Sequence, residues 1–310
     1  MVQTVRGPIE ENELGYCQLH EHLIVRPGPA TQMHPALLID DEAKSAEELL
    51  RYYRVGGRSV LDAQPGGAGR DVHALKRLSE ETSVNIIAVT GFHMPMFYPQ
   101  GHWIFTQSKE QLRDRFYLEL AWGTRDECSE YAQPIRAGAV KAAIGAEGPV
   151  GRTGERLWAA AAAAADAYVP LVMHTECGIG AVEAIKICVS AGMKPEKIVT
   201  CHVDRQATDY AIHEEIARTG VYLDYDTIAR YKYHDDESEV QLILHMIKKG
   251  YTKQLLLAMD TTAQRLLSYG ADVGLDFIIQ TFLPALVRSG MPEALIQTIM
   301  TDNPARVFSG

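Results

Sequence analysis

The hydrophobic residues of this chain form short apolar runs that alternate with longer amphipathic segments. Several runs, such as NIIAVTGF at residues 85–92, are apolar at nearly every position. This pattern is typical of parallel strands that are buried on both faces of a sheet. The runs predict eight strands, at Tyr16–Leu19, Ser59–Leu61, Val84–Thr90, Ala139–Ala143, Leu171–Met173, Ile198–Cys201, Val221–Leu223 and Leu255–Met259.

The segments between these runs predict helices with recognisable ends. Asp40–Arg54 is amphipathic and is followed by Gly56, which suits the left-handed residue that often ends a helix. The segment Glu155–Tyr168 contains a run of alanines, the residue that favours helix most. Asn303 and Pro304 resemble an N-cap followed by proline at the first helical position. Further helices are predicted at Gly178–Ser190, Thr208–Thr219 and Glu237–Lys249.

Together these elements predict the fold class. Eight strand–helix units in 310 residues average about 39 residues each, which is the scale of a (β/α)8 TIM barrel. No linker divides the chain, so we expect one α/β barrel domain over residues 1–310. The barrel is expected to be distorted by a long insertion after strand three, Phe92–Gly138, which is rich in aromatic residues and histidine near its start. Loops of this length are often functional. We therefore expect this insertion to form either a lid over the barrel mouth or a subunit contact, as in a homodimer.

Composition narrows the class of partner. The chain has 30 Lys and Arg against 40 Asp and Glu, a formal net charge of −10, which argues against nucleic acid or an anionic membrane as the main partner. No apolar run is long enough to span a membrane, and the first residues lack the apolar core of a signal peptide. The five cysteines are odd in number and show no CxxC pattern. These features predict a reduced, cytoplasmic protein.

Residues of metal-ligand type stand at the carboxyl ends of the predicted strands. His20 and His22 end the first strand, where side chains two residues apart point to the same side. His174, His202 and Asp260 follow the fifth, sixth and eighth strands. Barrel enzymes place their catalytic groups at this end of the strands. The pattern therefore predicts a metal site at the barrel mouth.

Lys141 lies within the apolar fourth strand, GAVKAAIG. Burying its ammonium without a partner would cost several kcal/mol or depress its pKa. A carbamate, formed when the uncharged amine reacts with carbon dioxide, removes this conflict and can bridge two divalent ions. Taken singly, each of these residues is more often structural, as a core histidine or a helix-capping aspartate. The remaining seven histidines are predicted to lie outside the site: His34, His73, His93, His102, His213, His234 and His245.

This set of residues resembles the phosphotriesterase branch of the amidohydrolase superfamily over nearly the whole chain. The resemblance implies two divalent ions bridged by a hydroxide and by carboxylated Lys141. His20, His22 and Asp260 would hold the more buried ion, and His174 and His202 the more exposed one. Zinc suits these ligands best, although manganese, cobalt or iron would also bind. The bridging hydroxide would attack the substrate carbonyl, and Asp260 would act as the catalytic acid–base residue.

Two segments look more like the sugar-lactone hydrolases of this branch than the organophosphate-degrading enzymes: Asp62-Ala63-Gln64-Pro65 and Arg230-Tyr231-Lys232. The resemblance therefore implies a lactonase that opens a small, phosphorylated sugar lactone. An organophosphate triesterase, an amide or peptide-bond hydrolase, and a non-catalytic barrel subunit remain alternatives. The cations after strands seven and eight would bind the anionic substrate, or would be surface charges, one of them paired with Asp235 or Asp236. The predicted substrate-binding residues are Gln64, Tyr98, Arg230, Lys232, Arg265 and Tyr269.

Overall fold

A computed structural model describes residues 1–124 and 133–309 as a nearly closed barrel of eight parallel strands. The strands follow one another around the barrel in chain order, and each pairs in parallel with the next. This arrangement confirms the predicted (β/α)8 TIM-barrel class. The barrel strands are Tyr16–Glu21, Gly57–Asp62, Asn85–Gly91, Ala139–Ala143, Leu171–His174, Ile198–Cys201, Tyr222–Tyr225 and Leu255–Leu257.

The first and eighth strands meet at the predicted site. The backbone N–H of Asp260 donates to the carbonyl of His20 at 3.0 Å. The buried Glu21 carboxylate accepts hydrogen bonds from the backbone N–H groups of Met259 at 2.8 Å and Thr261 at 3.3 Å. Glu21 therefore ties the first strand to the residues on either side of Asp260. The segment that carries the candidate ligand Asp260 thus connects strand eight to strand one.

Helices surround the barrel, as the pattern predicts, and two of the longer ones lie where no helix was predicted. The alanine run packs into the core, because Ala159, Ala160 and Ala161 are fully buried in the helix that follows strand four. The two longer unpredicted helices are Val72–Thr82 and Lys109–Ala121, and the short helix Pro29–Met33 was not predicted either. The longer helices are Glu42–Arg54, Val72–Thr82, Lys109–Ala121, Gly151–Ala167, Ala181–Ser190, Tyr210–Ala217 and Asp236–Lys248, and shorter turns after strand eight include Leu283–Arg288, Ala294–Gln297 and Asn303–Phe308.

The long insertion divides into two parts in the described residues. Its first residues run along the barrel mouth, where Phe97 stacks against His93 with ring centroids 4.6 Å apart. Its helix Lys109–Ala121 buries Leu112 and Phe116 in the main core, beside the helix Gly151–Ala167. Much of the insertion is thus an ordinary outer helix of the barrel. The rest of the predicted insertion, residues 125–132, lies outside the described residues.

The prediction that Asn303 is an N-cap is wrong. Asp302 before it is already helical, with φ −71° and ψ −39°, because a π-helical turn at Thr298–Asp302 runs directly into the last helix. The Asn303 amide instead donates to the carbonyls of Thr252 at 2.8 Å and Leu255 at 2.6 Å. It therefore attaches the C-terminal helix to the start of strand eight.

An antiparallel hairpin, Val2–Thr4 with Gly7–Ile9, precedes the barrel and was not predicted. Its strands are only three residues each, too short for a periodic pattern to stand out. Across the described residues, every helix is too short or too polar to cross a membrane.

Candidate metal centre

The four predicted histidine ligands and Asp260 meet at the carboxyl end of the barrel. The His202 ring lies 4.8 Å from the His20 ring and 4.4 Å from the His174 ring, measured between centroids. His22 Nε2 is 3.3 Å from Asp260 Oδ1, and His20 Nε2 is 3.9 Å from the same oxygen. All five side chains are buried. Groups from strands one, five, six and eight thus converge on one small space.

Lys141 joins this cluster from strand four. Its side chain is fully buried, and its Nζ lies 2.9 Å from Nε2 of His20. Burial lowers the pKa of Lys141, which favours the uncharged amine that reacts with carbon dioxide. The neighbouring strand approaches closely, since a Cβ at Gly91 would lie 2.0 Å from the Lys141 carbonyl oxygen. The backbone around the lysine is therefore tightly fixed.

Asp226, which the sequence analysis did not single out, orients two of the histidines. Its carboxylate accepts hydrogen bonds from Nδ1 of His20 at 2.8 Å and from Nδ1 of His202 at 2.6 Å. Because a carboxylate only accepts, both Nδ1 atoms carry the proton and both Nε2 atoms keep a free lone pair. Burial lowers the pKa of His20 to about 4 and that of His202 well below its ordinary value. Both imidazoles are therefore neutral, as metal ligands must be.

His174 is oriented by a different pair of residues. Its Nε2 donates to Glu176 Oε1 at 3.0 Å, which leaves Nδ1 as the ligating atom. Arg205 donates to the other Glu176 oxygen at 2.9 Å and lies 3.8 Å from Asp260 Oδ2. Burial lowers the pKa of His174 too. The sequence analysis missed Glu176 and Arg205, although both follow a predicted ligand closely in the chain.

The backbone places two of the candidate ligands in an uncommon conformation. Asp260 has φ +46° and His202 has φ +64°, in the left-handed region that residues other than glycine seldom adopt. Asp260 also forms an ion pair with Arg230. Although burial opposes ionisation, the Arg230 guanidinium holds the pKa of Asp260 well below its usual range. Asp260 is therefore an ionised carboxylate at neutral pH.

A cavity of about 420 Å³ opens above this cluster, and four of the six predicted substrate-binding residues line it. They are Gln64, Arg230, Lys232 and Arg265. The Arg265 guanidinium is buried and donates to the backbone carbonyls of Met259, Asp260 and Ile228, so much of its hydrogen-bonding capacity is already used. Lys232 is exposed at the rim, and its ammonium lies 4.6 Å from the centroid of the Tyr233 ring.

Tyr98 and Tyr269 do not line this cavity. The Tyr98 hydroxyl accepts a hydrogen bond from the His93 N–H at 2.9 Å, so it supports the end of strand three. The Tyr269 hydroxyl accepts one from the Asp41 N–H at 3.2 Å, and its ring lies under the Lys44 ammonium. Both hydroxyls are engaged away from the barrel mouth.

Two histidines that were predicted to lie outside the site instead form part of the cavity wall. His34 and His93 both line it, and the His93 ring lies 5.4 Å from that of His174. The prediction failed because the position of each histidine depends on the path of a loop and not on the register of a strand. The alternative in which one of the cations pairs with Asp235 or Asp236 does not apply to Arg230, because its ion-pair partner is Asp260.

The donor set suits divalent metal ions. Ligand atoms of His20, His202 and Asp260 all lie within 4.8 Å of one another. Three of the four imidazoles, those of His20, His174 and His202, have a lowered pKa and a nitrogen hydrogen-bonded to a carboxylate. Asp260 is ionised. Imidazole and carboxylate donors bind zinc, manganese, cobalt or iron. His22 Nδ1 has no hydrogen-bond partner among the described residues.

Comparison with known proteins gives consistent matches over the whole length. The family model described as "Phosphotriesterase family" matches residues 1–308. A phospho-furanose lactonase from Mycoplasmopsis synoviae is 30% identical over 99% of this chain and 91% of its own length. An N-acetyltaurine hydrolase from Danio rerio is 29% identical over 98% of this chain and 97% of its own. The crystal structure of a lactonase from Listeria monocytogenes superimposes with a TM-score of 0.91 at 27% identity, covering 99% of this chain and 98% of that one.

Proposed function

This chain belongs to the phosphotriesterase family, and from that premise we propose that it is a metal-dependent lactonase with a binuclear centre, acting on small phosphorylated sugar lactones. The observation that carries the proposal is the convergence of four buried histidines, Lys141 and Asp260 below a cavity lined by cations. Membership of this family makes the protein a hydrolase of small molecules. The binuclear centre, its lysine bridge and the phosphorylated substrate are the parts that require experiment.

We assign the ligands as the sequence analysis did. His20, His22 and Asp260 hold the more buried ion, and His174 and His202 hold the more exposed one. Lys141, whose Nζ lies 2.9 Å from His20 Nε2, would bridge the two ions as its carbamate. Two divalent ions bound there, zinc first among the candidates, would supply Lewis acidity and would acidify water at neutral pH. The neutral imidazoles and the buried lysine amine support this assignment.

The chain's own residues supply positioning and proton transfer. Asp260 is an ionised carboxylate at the base of the cavity and can accept a proton from the attacking water, then give it to the leaving oxygen. Glu21 accepts hydrogen bonds from the backbone on both sides of Asp260, so it fixes the position of the Asp260 carboxylate. The candidate reacting groups are buried at the base of the cavity, which limits their contact with bulk solvent. The proposed reaction is opening of the lactone ring by water.

The rim of the cavity fits a phosphorylated substrate. Arg230, Lys232, Arg205 and Arg265 bring positive charge to one wall, although the chain as a whole carries −10. Arginine pairs well with phosphate because its planar guanidinium donates two parallel hydrogen bonds. Lys232 is the cation most free to reach a ligand, since it is exposed. Lys232 lines the same cavity as His174, His202 and Asp260, so a phosphate held by Lys232 would place the lactone in the cavity above the candidate ligands.

We predict that Lys232→Met lowers kcat/KM for a phosphorylated lactone by about 30-fold, or about 2 kcal/mol, the range of a hydrogen bond between charged groups. The same change should leave an unphosphorylated lactone nearly unaffected. Lys253→Met is the matched control, because Lys253 is exposed just before strand eight, at the opposite end of the barrel. Equal losses on both lactones, or none on either, would remove Lys232 from the phosphate site.

Asp226→Asn tests how the histidines are oriented. The amide offers one acceptor oxygen, so it can accept from His20 or from His202, but its NH2 group cannot accept from the second. Changing such outer partners of metal ligands typically weakens metal affinity by about 10–100-fold. We therefore expect that loss in a competition with a metal chelator, with the fold retained by circular dichroism. Unchanged affinity would show that Asp226 does not orient these ligands.

An amide hydrolase is the second candidate. The observation that favours it is the similarity to N-acetyltaurine hydrolases, at 29% identity over nearly the full length of both chains. An N-acyl taurine also carries a strong anion, the sulfonate, which the same cations could bind. The two candidates differ in the bond that is cleaved, so direct comparison of the two substrates separates them.

A further inference from the structure

A second cluster of metal-ligand type shares no side chain with the candidate centre. It consists of Asp204, His234 and Glu239. Asp204 lies in the turn Val203–Gln206 after His202, His234 lies in the loop after strand seven, and Glu239 lies in the helix Asp236–Lys248. Asp204 and Glu239 are fully buried.

The hydrogen bonds around His234 fix its protonation. Its Nδ1 lies 3.0 Å from the backbone carbonyl of Asp235, an acceptor only, so Nδ1 carries a proton. Its Nε2 faces inward, 3.0 Å from Glu239 Oε2 and 3.0 Å from the Thr227 hydroxyl. The Thr227 hydroxyl donates its one proton to Asp204, so Nε2 is a donor as well and His234 is protonated on both nitrogens without a metal ion. Although burial opposes this, the Glu239 carboxylate raises the pKa of His234 to about 9. A divalent cation would take the place of the Nε2 proton, and the hydrogen bond from Nδ1 to the carbonyl would orient the imidazole as a ligand.

The carboxylates of the cluster are under-satisfied. Asp204 Oδ2 accepts from the N–H of Thr227 at 2.6 Å and from its hydroxyl at 2.7 Å. Asp204 Oδ1 and Glu239 Oε1 have no hydrogen-bond partner among the described residues, although both are buried. Leaving such oxygens without a partner is unfavourable by about 1–3 kcal/mol each, and more when they are charged.

Two carboxylates face one imidazole in this cluster. If both carboxylates are ionised, the buried group carries a net charge of −1 even when His234 is protonated, so either a proton on one carboxylate or a cation must balance it. A divalent cation with a neutral His234 brings the total to zero and contacts the orphaned oxygens at once. Burial raises the pKa of Glu239, as expected for a carboxylate that lacks such a cation.

We propose that Asp204, His234 and Glu239 bind a structural divalent cation of the zinc type, separate from the binuclear centre. Their ligating atoms all lie within 4.8 Å of one another, and imidazole with carboxylate oxygens is a zinc donor set. The ion joins the turn after strand six, the loop after strand seven and the next helix. Because that loop carries Arg230 and Lys232, the ion fixes the wall of the cavity to which those cations belong.

Anomalous diffraction on crystals of the unmodified protein grown with zinc tests this site directly. Data on both sides of the zinc absorption edge are expected to show a peak between Asp204, His234 and Glu239. A map with no peak there, at full occupancy of any zinc elsewhere, overturns the proposal. The two proposals fail separately, because peaks at His20 and His202 report only on the binuclear centre.

Zinc stoichiometry provides a test in solution. His234→Gln and Glu239→Gln should each lower the bound zinc by about one ion per chain and remove the part of the thermal stabilisation that zinc gives through this site. The matched controls are His245→Gln and Glu214→Gln, which disrupt another His–Glu pair, 2.8 Å apart and more exposed, that involves the same helix. Unchanged zinc content in the first two variants contradicts the site. A Glu239→Gln protein that is more stable than the parent with zinc present also contradicts the site. In that case a proton shared within the cluster, and not a metal ion, would balance the charge.

Discussion

Replacing Lys141 by alanine is expected to remove metal and activity together. Lys141 is fully buried among the candidate ligands, and its carbamate is the proposed bridge between the two ions. Loss of the bridge removes the Lewis acidity that supplies several kcal/mol of transition-state stabilisation, so kcat/KM should fall by about 10³-fold or more. Metal analysis of the dialysed protein, with lactone hydrolysis measured on the same sample, provides the readout.

Chemical rescue separates the bridge from a general effect on folding. A short carboxylic acid, such as acetate or propionate, can enter the space left by the side chain and replace the carbamate, so it should restore part of both metal content and rate. Lys197→Ala is the matched control, because Lys197 is another lysine that is partly buried. Its ammonium donates to the Val307 carbonyl at 2.8 Å, at the end of the barrel opposite the ligands. A Lys141→Ala protein that keeps its full metal content and rate contradicts the bridging role.

Asp260→Asn is expected to lower kcat by about 10²–10⁴-fold, the usual contribution of a general acid–base group. The amide oxygen can still contact a metal ion, but the amide cannot accept the proton from water. Much of the metal should therefore remain while turnover is lost. Steady-state kinetics and metal analysis of the same preparation distinguish these two effects.

The control for this change is Asp272→Asn, an exposed aspartate in the same connection after strand eight. It should behave as the parent protein does. If Asp260→Asn loses less than about threefold in kcat, the proton acceptor is another group. His93, on the cavity wall beside His174, would then be the next residue to change.

The positions of the strands were predictable from the sequence because buried parallel strands give continuous apolar runs. Ala139–Ala143 and Ile198–Cys201 have the predicted bounds, and the other strands differ by a few residues at their ends. The candidate ligands could be grouped for the same reason, since the carboxyl ends of all eight strands meet at one mouth. His20 and Lys141, far apart in sequence, lie 2.9 Å apart.

Contacts that depend on loop paths were not predictable in this way. Asp226, Glu176 and Arg205 follow strands closely, but their roles arise from hydrogen bonds between neighbouring units of the barrel. Tyr98 and Tyr269 were placed at the mouth from sequence position alone, and their hydroxyls bond to backbone elsewhere. The signal that could have indicated Asp226 is its place as an aspartate directly after strand seven, which carries no predicted ligand.

Substrate comparison with the metal-loaded protein tests the central claim most directly. The values of kcat/KM should be measured for a furanose lactone with and without its phosphate, for an N-acyl taurine and for a phosphotriester, each before and after removal of metal by a chelator. The account predicts that the phosphorylated lactone is hydrolysed fastest, by about 30-fold or more over the plain lactone, and only with metal present. Hydrolysis that persists without metal, or a preference for the amide or the triester, would contradict it.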